Sequence, residues 1–523
     1  VTRPGRLRLA TAAVLSASVL AACSGGGGDG NGGVGPIVKY ERPGEQPSVA
    51  APTAKDTVLG PDATPAPVAS PEKPNLLMIT MDDAAMKDMQ FMPHLQEVIA
   101  DEGVTIDQGL APTPICVPAR ASLLTGQYAR NHGAVTISGE GGGYKSFDDE
   151  DTMPVSLQKA GYDTMMVGKY LNGYTKNEVH HQPPGWTVWR PTVDFATYNF
   201  EHPQLLVDGR IKDYDTYSTT LLSDQSNQLI ADHANGADGA DGDKPWYLWV
   251  NYVAPHHGSP HESDDPDGIS TTVPDKRDRD TFKDLDLDTT PEMFEKDPSD
   301  KALIRNARQK WSEKRRAGLR EERQQRVEAL QAVDRAIART VDTLRRTGQL
   351  DNTYVVVTSD NGFYVGEHNL NGKLWYFRDA INIPMFIRGP GLPAGTTTQA
   401  PVTNADWAPT FAALAGATLD RDADGVDVMP WLDSDATRRV IPISGWPVKG
   451  GLDPFYTGVI VGPWTYVRGR KGRGELYYTK NDQYQLYNLY GDPRYKAVRK
   501  QLRDLWEQTR ECAGATCPQT FMK

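Results

Sequence analysis

The chain has 523 residues, enough for one large domain with a smaller companion, and its net charge of -12 excludes the basic surface typical of nucleic-acid binding. Its 38% hydrophobic content is that of a globular protein, which excludes wholesale disorder. An acidic chain can still bind an anion, but only through a local cluster of cations.

Arg3, Arg6 and Arg8 precede a short apolar run over residues 9–20, too brief to span a bilayer. The run ends in Leu20-Ala21-Ala22-Cys23, which resembles a bacterial lipobox and implies an exported lipoprotein held through a lipid on Cys23. The competing reading is an ordinary export signal followed by a chance cysteine. Residues 1–23 are therefore expected to be a signal segment. Residues 24–72, rich in Gly, Pro and Ala, are expected to form a flexible tether that holds the domain off the outer side of a membrane.

The folded part is expected from residue 73. Residues 75–80 form an apolar run of buried-strand length, and a helical pattern follows over 92–100. Further buried-strand runs occupy 164–167, 246–250, 354–357 and 384–387. The clearest helix carries Val327, Leu330, Val333, Ile337, Val341 and Leu344 on one stripe, with Gly348 as its stop. Strands alternating with helices predict an α/β fold whose mostly parallel sheet is sandwiched by helices, over residues 73–440. The Arg-, Lys- and Glu-rich segment 301–325 reads as a solvated helix face. Short aromatic strands and a helix over 495–510 predict a small α+β subdomain over 441–523.

Apart from Cys23 the cysteines are Cys116, Cys512 and Cys517. The spacing of the last two suits a small disulfide loop in an oxidising compartment; a metal site is the weaker alternative, since no histidine or third cysteine is near in sequence. Cys116 is then an unpaired thiol in an exported chain, and needs an explanation.

Acidic and amide side chains gather just after predicted strands: Asp82-Asp83 after the first, and Asp360-Asn361-Gly362 after residues 354–358. Ligands of open α/β sheets collect beyond the carboxyl ends of strands, and these oxygens suit Ca²⁺ or Mg²⁺. Between the two lies Cys116-Val117-Pro118-Ala119-Arg120, followed by Thr125-Gly126. This run is similar to the signature of the type I sulfatases, Cys-x-Pro-x-Arg with Thr-Gly at a fixed distance. Other segments carry the resemblance along most of the chain: 74–83, Gly168-Lys169-Tyr170-Leu171-Asn172, Ala254-Pro255-His256-His257, Gly366-Glu367-His368, Lys373, Ala405-Asp406-Trp407 and Glu475-Leu476-Tyr477.

The resemblance implies an alkaline-phosphatase-like fold and hydrolysis of sulfate esters. It also implies that a formylglycine-generating enzyme oxidises Cys116 to a formylglycine, reading Pro118 and Arg120, and that the aldehyde hydrate attacks sulfur. One divalent ion, Ca²⁺ first and Mg²⁺ second, would be held by Asp82, Asp83, Cys116, Asp360 and Asn361. Lys169 and Lys373 would carry anion charge, Arg120 would hold the aldehyde hydrate and the metal carboxylates in place, and His256, alone or with Lys373, would protonate the leaving alcohol. Asn172, His257 and His368 would contact substrate.

The chain departs from many arylsulfatases at Leu171, where a histidine base is common. Lys169-Tyr170-Leu171-Asn172 with Pro183-Pro184-Gly185-Trp186 resembles the N-acetylglucosamine-6-sulfatases instead, which implies a 6-sulfated glucosamine in a glycan. The rivals are a phosphodiester or phosphonate monoester hydrolase on the same fold and a lipid-anchored glycan-binding protein without catalysis. Residues 420–425 begin like an EF-hand but meet Trp431 at the position of the required Glu. Residues 238–243 read as a solvated loop, and His132 as a loop-fixing group.

Overall fold

The computed structural model describes residues 57–175, 181–236, 244–304, 307 and 310–523. Cys23, the export segment, most of the tether and the 238–243 loop lie outside the described residues. The main sheet is built from β1 (Asn75–Met81), β2 (Val104–Ile106), β3 (Asp163–Gly168), β4 (Val188–Pro191), β5 (Trp246–Asn251), β6 (Thr353–Ser359), β7 (Met385–Arg388) and β8 (Thr396–Thr398). Their spatial order is β8-β2-β7-β6-β1-β5-β3-β4. Strands β6, β1, β5, β3 and β4 are parallel, while β7 runs antiparallel to both β6 and β2.

Alternation along β1 divides the core. Leu76 and Met78 face a cluster shared with Val117, Leu157 and Phe411, whereas Leu77, Ile79 and Met81 face one shared with Leu222, Ile230, Leu330 and Ile337. Helices α1 (Cys116–Thr125), α2 (Met153–Lys159) and α5 (Trp407–Ala415) therefore cover one face, and α3 (Ser218–Ala234) and α4 (Glu313–Arg346) the other. Sheet burial on both faces explains why the strands read as continuous apolar runs. The smaller part is the antiparallel sheet β9–β12 (Val440–Gly445, Tyr456–Val461, Trp464–Gly469 and Gly474–Tyr478) with helix α6 (Lys496–Thr509).

Two expectations need correction. The tether does not run to residue 72: Val58 is fully buried, Ala63 N–H donates to the Phe521 carbonyl and Ala66 N–H to that of Pro430. Pairing with the returning C-terminal residues orders a segment whose composition alone reads as flexible. The segment 301–325 is solvated only in part: residues 310 and 312–314 are exposed, but others of its described residues are buried. Lys301 is buried on Glu295, and Arg323 and Arg326 are buried around Asp88, which needs those cations because it is itself enclosed. Trp186 and Trp189 belong to the core beside Trp249 and Tyr174. Among the described residues no helix is long and apolar enough to cross a membrane.

Candidate active site

The chemistry-bearing segments converge beyond the carboxyl ends of β1, β3, β5 and β6. Asp82 and Asp83 directly follow β1, Lys169 follows β3, and Asp360 and Asn361 follow β6. Cys116 is the first residue of α1, so the positive end of a ten-residue helix lies at the candidate nucleophile. The helix ends at Gly126, whose φ of 74° suits glycine and whose carbonyl accepts from the Asp424 and Gly425 N–H groups. Gly362 is required for a different reason, since a side chain there would strike the Asp379 carbonyl.

Arg120 is the centre of the scaffold. Fully buried, it donates from Nε to Asp360 Oδ2 at 2.8 Å and from Nη1 to the Lys169 carbonyl at 3.0 Å and Asn251 Oδ1 at 2.9 Å. One side chain thus ties together the loops after β3, β5 and β6. Asp360 Oδ1 in turn accepts from the Asp83 N–H at 3.1 Å and the Asn361 N–H at 2.9 Å.

The cations face the carboxylates closely. Lys169 Nζ is hydrogen-bonded to Asp82 Oδ2, and Lys373 Nζ to Asp83 Oδ1 and, at 3.0 Å, to Cys116 Sγ. Burial opposes the Asp83 charge, but Lys373, His256 and Lys169 together hold its carboxyl well below the usual range. Burial likewise opposes the charge on Lys373, yet Asp83 and the groups around it raise its pKa, so the ammonium is retained. Burial pushes the Cys116 thiol up to about 12 despite Lys169 and Lys373, so as a plain cysteine it is a poor nucleophile.

His256 lies 3.7 Å from Asp83 Oδ2 through Nε2, while Nδ1 is 2.8 Å from the His257 carbonyl. A carbonyl only accepts, so Nδ1 carries the hydrogen and Nε2 presents a lone pair to the centre. Burial pushes His256 down to about 3, with Asp83 opposing that shift and the two lysines reinforcing it; the resting ring is neutral. The His257 ring lies against that of His256, centroids 4.0 Å apart and planes tilted by 35°.

The residues present fit a divalent cation. Asp82, Asp83, Cys116 and His256 offer ligand atoms within 4.8 Å of one another. Asp83 Oδ2 and Asn361 Oδ1 are buried without a hydrogen-bond partner, the state expected of oxygens kept for a metal. Three carboxylates here face the three cations Arg120, Lys169 and Lys373, so a divalent ion would leave an excess of positive charge. An acidic chain can thus hold an anion.

Not every sequence-predicted residue reaches this centre. His368 is only 1% exposed, pairs through Nδ1 with Glu295 at 3.0 Å and stacks on Phe377; it braces a loop and does not face substrate. Asn172 lies beside Lys169 with its amide donating to the Tyr198 hydroxyl at 3.0 Å. His132 fixes its loop, with Nδ1 accepting from the Ala134 N–H. Cys512 and Cys517 form a disulfide whose loop is held by Asp424, which also caps the Tyr128 N–H. Leu171 is buried in the core, so no base stands at that position.

Sequence reasoning missed Asn251, Arg326 and Tyr198. Asn251 ends β5, a place the strand-end rule could have marked. Arg326 donates to the Asp83 carbonyl at 2.6 Å from just beyond the stretch read as solvated. Tyr198 has no local signal, because its position depends on the loop after β4 pairing with Ser259.

The family model described as Sulfatase matches residues 74–417. An arylsulfatase of Volvox carteri is 27% identical over 508 residues, covering 86% of this chain and 76% of that protein. The N-acetylglucosamine-6-sulfatase of Homo sapiens is 28% identical over 384 residues, covering 70% of this chain and 65% of that protein. Among solved structures, BT4656 in complex with its substrate D-glucosamine-2-N,6-O-disulfate superposes with a TM-score of 0.69 at 21% identity, covering 83% of this chain and 97% of that one. The match over residues 74–417 spans the whole centre around Cys116, and the chain belongs to the sulfatase family.

Proposed function

We propose that this sulfatase removes the 6-O-sulfate of glucosamine residues in a sulfated glycan, using a formylglycine made from Cys116 and one divalent ion, Ca²⁺ in preference to Mg²⁺. The observation that carries the reading is Cys116 itself: a buried, weakly acidic thiol at a helix N-terminus, 3.0 Å from the Lys373 ammonium. A thiol so placed gains chemistry only by conversion to another group. Bound at this centre, the aldehyde hydrate would supply the nucleophile and the divalent ion would polarise sulfate oxygens.

The chain's own residues do the rest. Asp82, Asp83, Asp360 and Asn361 would hold the ion, with Cys116 beside them. Arg120 keeps those carboxylates in register through its bonds to Asp360 and the Lys169 carbonyl. Lys169 and Lys373 present fixed positive charge to sulfate oxygens in a water-poor site, where it is most effective. The resting His256 ring has no proton on Nε2, so Lys373 is the protonated group ready at the centre. His256 would donate once an anionic substrate favours its charged form.

The 6-sulfated glucosamine assignment is supported by the N-acetylglucosamine-6-sulfatase of Homo sapiens and by the Lys169-Tyr170-Leu171-Asn172 run. Sulfate release from glucosamine-6-sulfate, against the 2-N- and 3-O-sulfated isomers and a phosphonate monoester, tests it. Preference for the 6-O-ester is expected; faster cleavage of the phosphonate would replace this reading. Export and lipid attachment through Cys23 are proposed from the sequence of residues 1–23, and a lipid mass on the mature N-terminal peptide tests them.

A further inference from the structure

We infer that Tyr198 is a positioning residue of the active site, fixing the His256 ring and the Lys169 ammonium in one arrangement. Three contacts carry this. The Tyr198 ring stacks on the His256 imidazole, centroids 4.4 Å apart and planes 23° apart. Lys169 Nζ lies 5.2 Å from the centroid of the same ring. The phenolic oxygen accepts from Asn172 Nδ2 at 3.0 Å, which ties the ring to the loop that carries Lys169.

The loop bearing Tyr198 is held on both sides. Asp194 Oδ1 accepts from the Gly173 N–H at 2.8 Å, and Asp194 N–H donates to Thr175 Oγ1 at 3.0 Å, clipping it to the segment after β3. The Tyr198 carbonyl accepts from the Ser259 N–H at 2.8 Å, clipping it to the segment after β5 that carries His256. Tyr198 therefore stands where two arms of the centre meet, and touches a group on each.

The physics favours the ring over the hydroxyl. A flat aromatic face limits rotation of the imidazole stacked on it, and its negative quadrupole attracts an ammonium above it. Neither effect needs the phenolic oxygen. A ring without the hydroxyl should hold both groups, while an aliphatic side chain of similar bulk should release them.

The inference rests on His256 acting in sulfate-ester hydrolysis, and a mutant cycle separates the two claims. Enzyme co-produced with a formylglycine-generating enzyme is assayed on p-nitrophenyl sulfate as wild type, Tyr198→Phe, Tyr198→Leu, His256→Ala and the Tyr198→Leu/His256→Ala double variant. Tyr198→Phe should lose no more than about tenfold in kcat, the range of one hydrogen bond. Tyr198→Leu should lose about 100-fold in kcat with KM little changed, the scale of a misplaced catalytic group. The double variant should lose less than the product of the two single losses, because part of the tyrosine's effect runs through the histidine and the rest through Lys169. Tyr198→Met reads the same way if the leucine variant does not fold.

Wild-type kcat in the leucine variant, or losses that simply multiply in the double variant, would overturn the inference. A wild-type His256→Ala rate would instead overturn the role given to His256, a separate failure.

Discussion

Arg120 and Asp360 form a fully buried ion pair at 2.8 Å, and this pair joins the nucleophile helix to the loop after β6. Removing one partner leaves the other charge enclosed, which costs about 3–5 kcal/mol in such pairs. Arg120→Met in the unmodified cysteine form should lower stability by that amount, measured by urea denaturation. Lysine should not rescue it, because it cannot reach Asp360, Asn251 and the Lys169 carbonyl together.

Asp83 carries the test of the metal site. A ligand that binds only the folded state at 100 times its Kd adds about 2.7 kcal/mol. Calcium should raise the Tm of wild-type protein, and chelation should reverse the rise. Asp83→Asn should abolish the calcium-dependent shift while leaving the chelated protein folded.

Glu322 makes stability fall as pH rises towards 8. Burial pushes its carboxyl up to about 8, against the partial relief of Arg326 and Asn371. A raised carboxyl is stabilising below its unfolded value and loses that contribution as pH rises through the folded value. Thermal melts should therefore show Tm falling as pH rises from about 4.5 to 8 and levelling off above that. Glu322→Gln, which keeps a hydrogen-bonding amide and cannot ionise, should flatten the fall.

His368 separates loop bracing from substrate contact. It is buried on Glu295 and Phe377, so His368→Ala should cost about 2–3 kcal/mol of stability through lost packing and the lost hydrogen bond to Glu295 Oε2. KM should stay at the wild-type value. A raised KM with unchanged Tm would restore the substrate-binding role.

The Cys512–Cys517 bridge closes a short loop, with a sequence separation of 5. Closure of so small a loop contributes about 2 kcal/mol by the chain-entropy relation. The double serine variant should lose that much and retain KM, since the loop is held by Asp424 and Asn131 beyond the far end of the nucleophile helix.

Much of this organisation was legible before the fold. The strands around the site are buried on both faces, so their apolar runs stand out, and the groups that follow them are where an α/β sheet gathers ligands. Asp82 and Asp360 were readable for that reason, and Cys116 from the Cys-x-Pro-x-Arg run it opens. Contacts made across the chain were not. Arg326 belongs to a charged helix whose pattern is that of a solvated face, and only Asp88 and the Asp83 carbonyl, distant in sequence, explain its burial. His368 sits in a segment that resembles a site, yet Glu295, far back along the chain, turns it inward. Residues 57–72 carry a linker composition, and the returning C-terminus orders them.

The most direct measurement is the mass of the proteolytic peptide containing residue 116, from protein made beside a formylglycine-generating enzyme. A peptide lighter than the cysteine form, and reactive with an aldehyde probe, is the expected result. A peptide that keeps the cysteine mass and alkylates fully, from protein that still releases sulfate, would contradict the central claim.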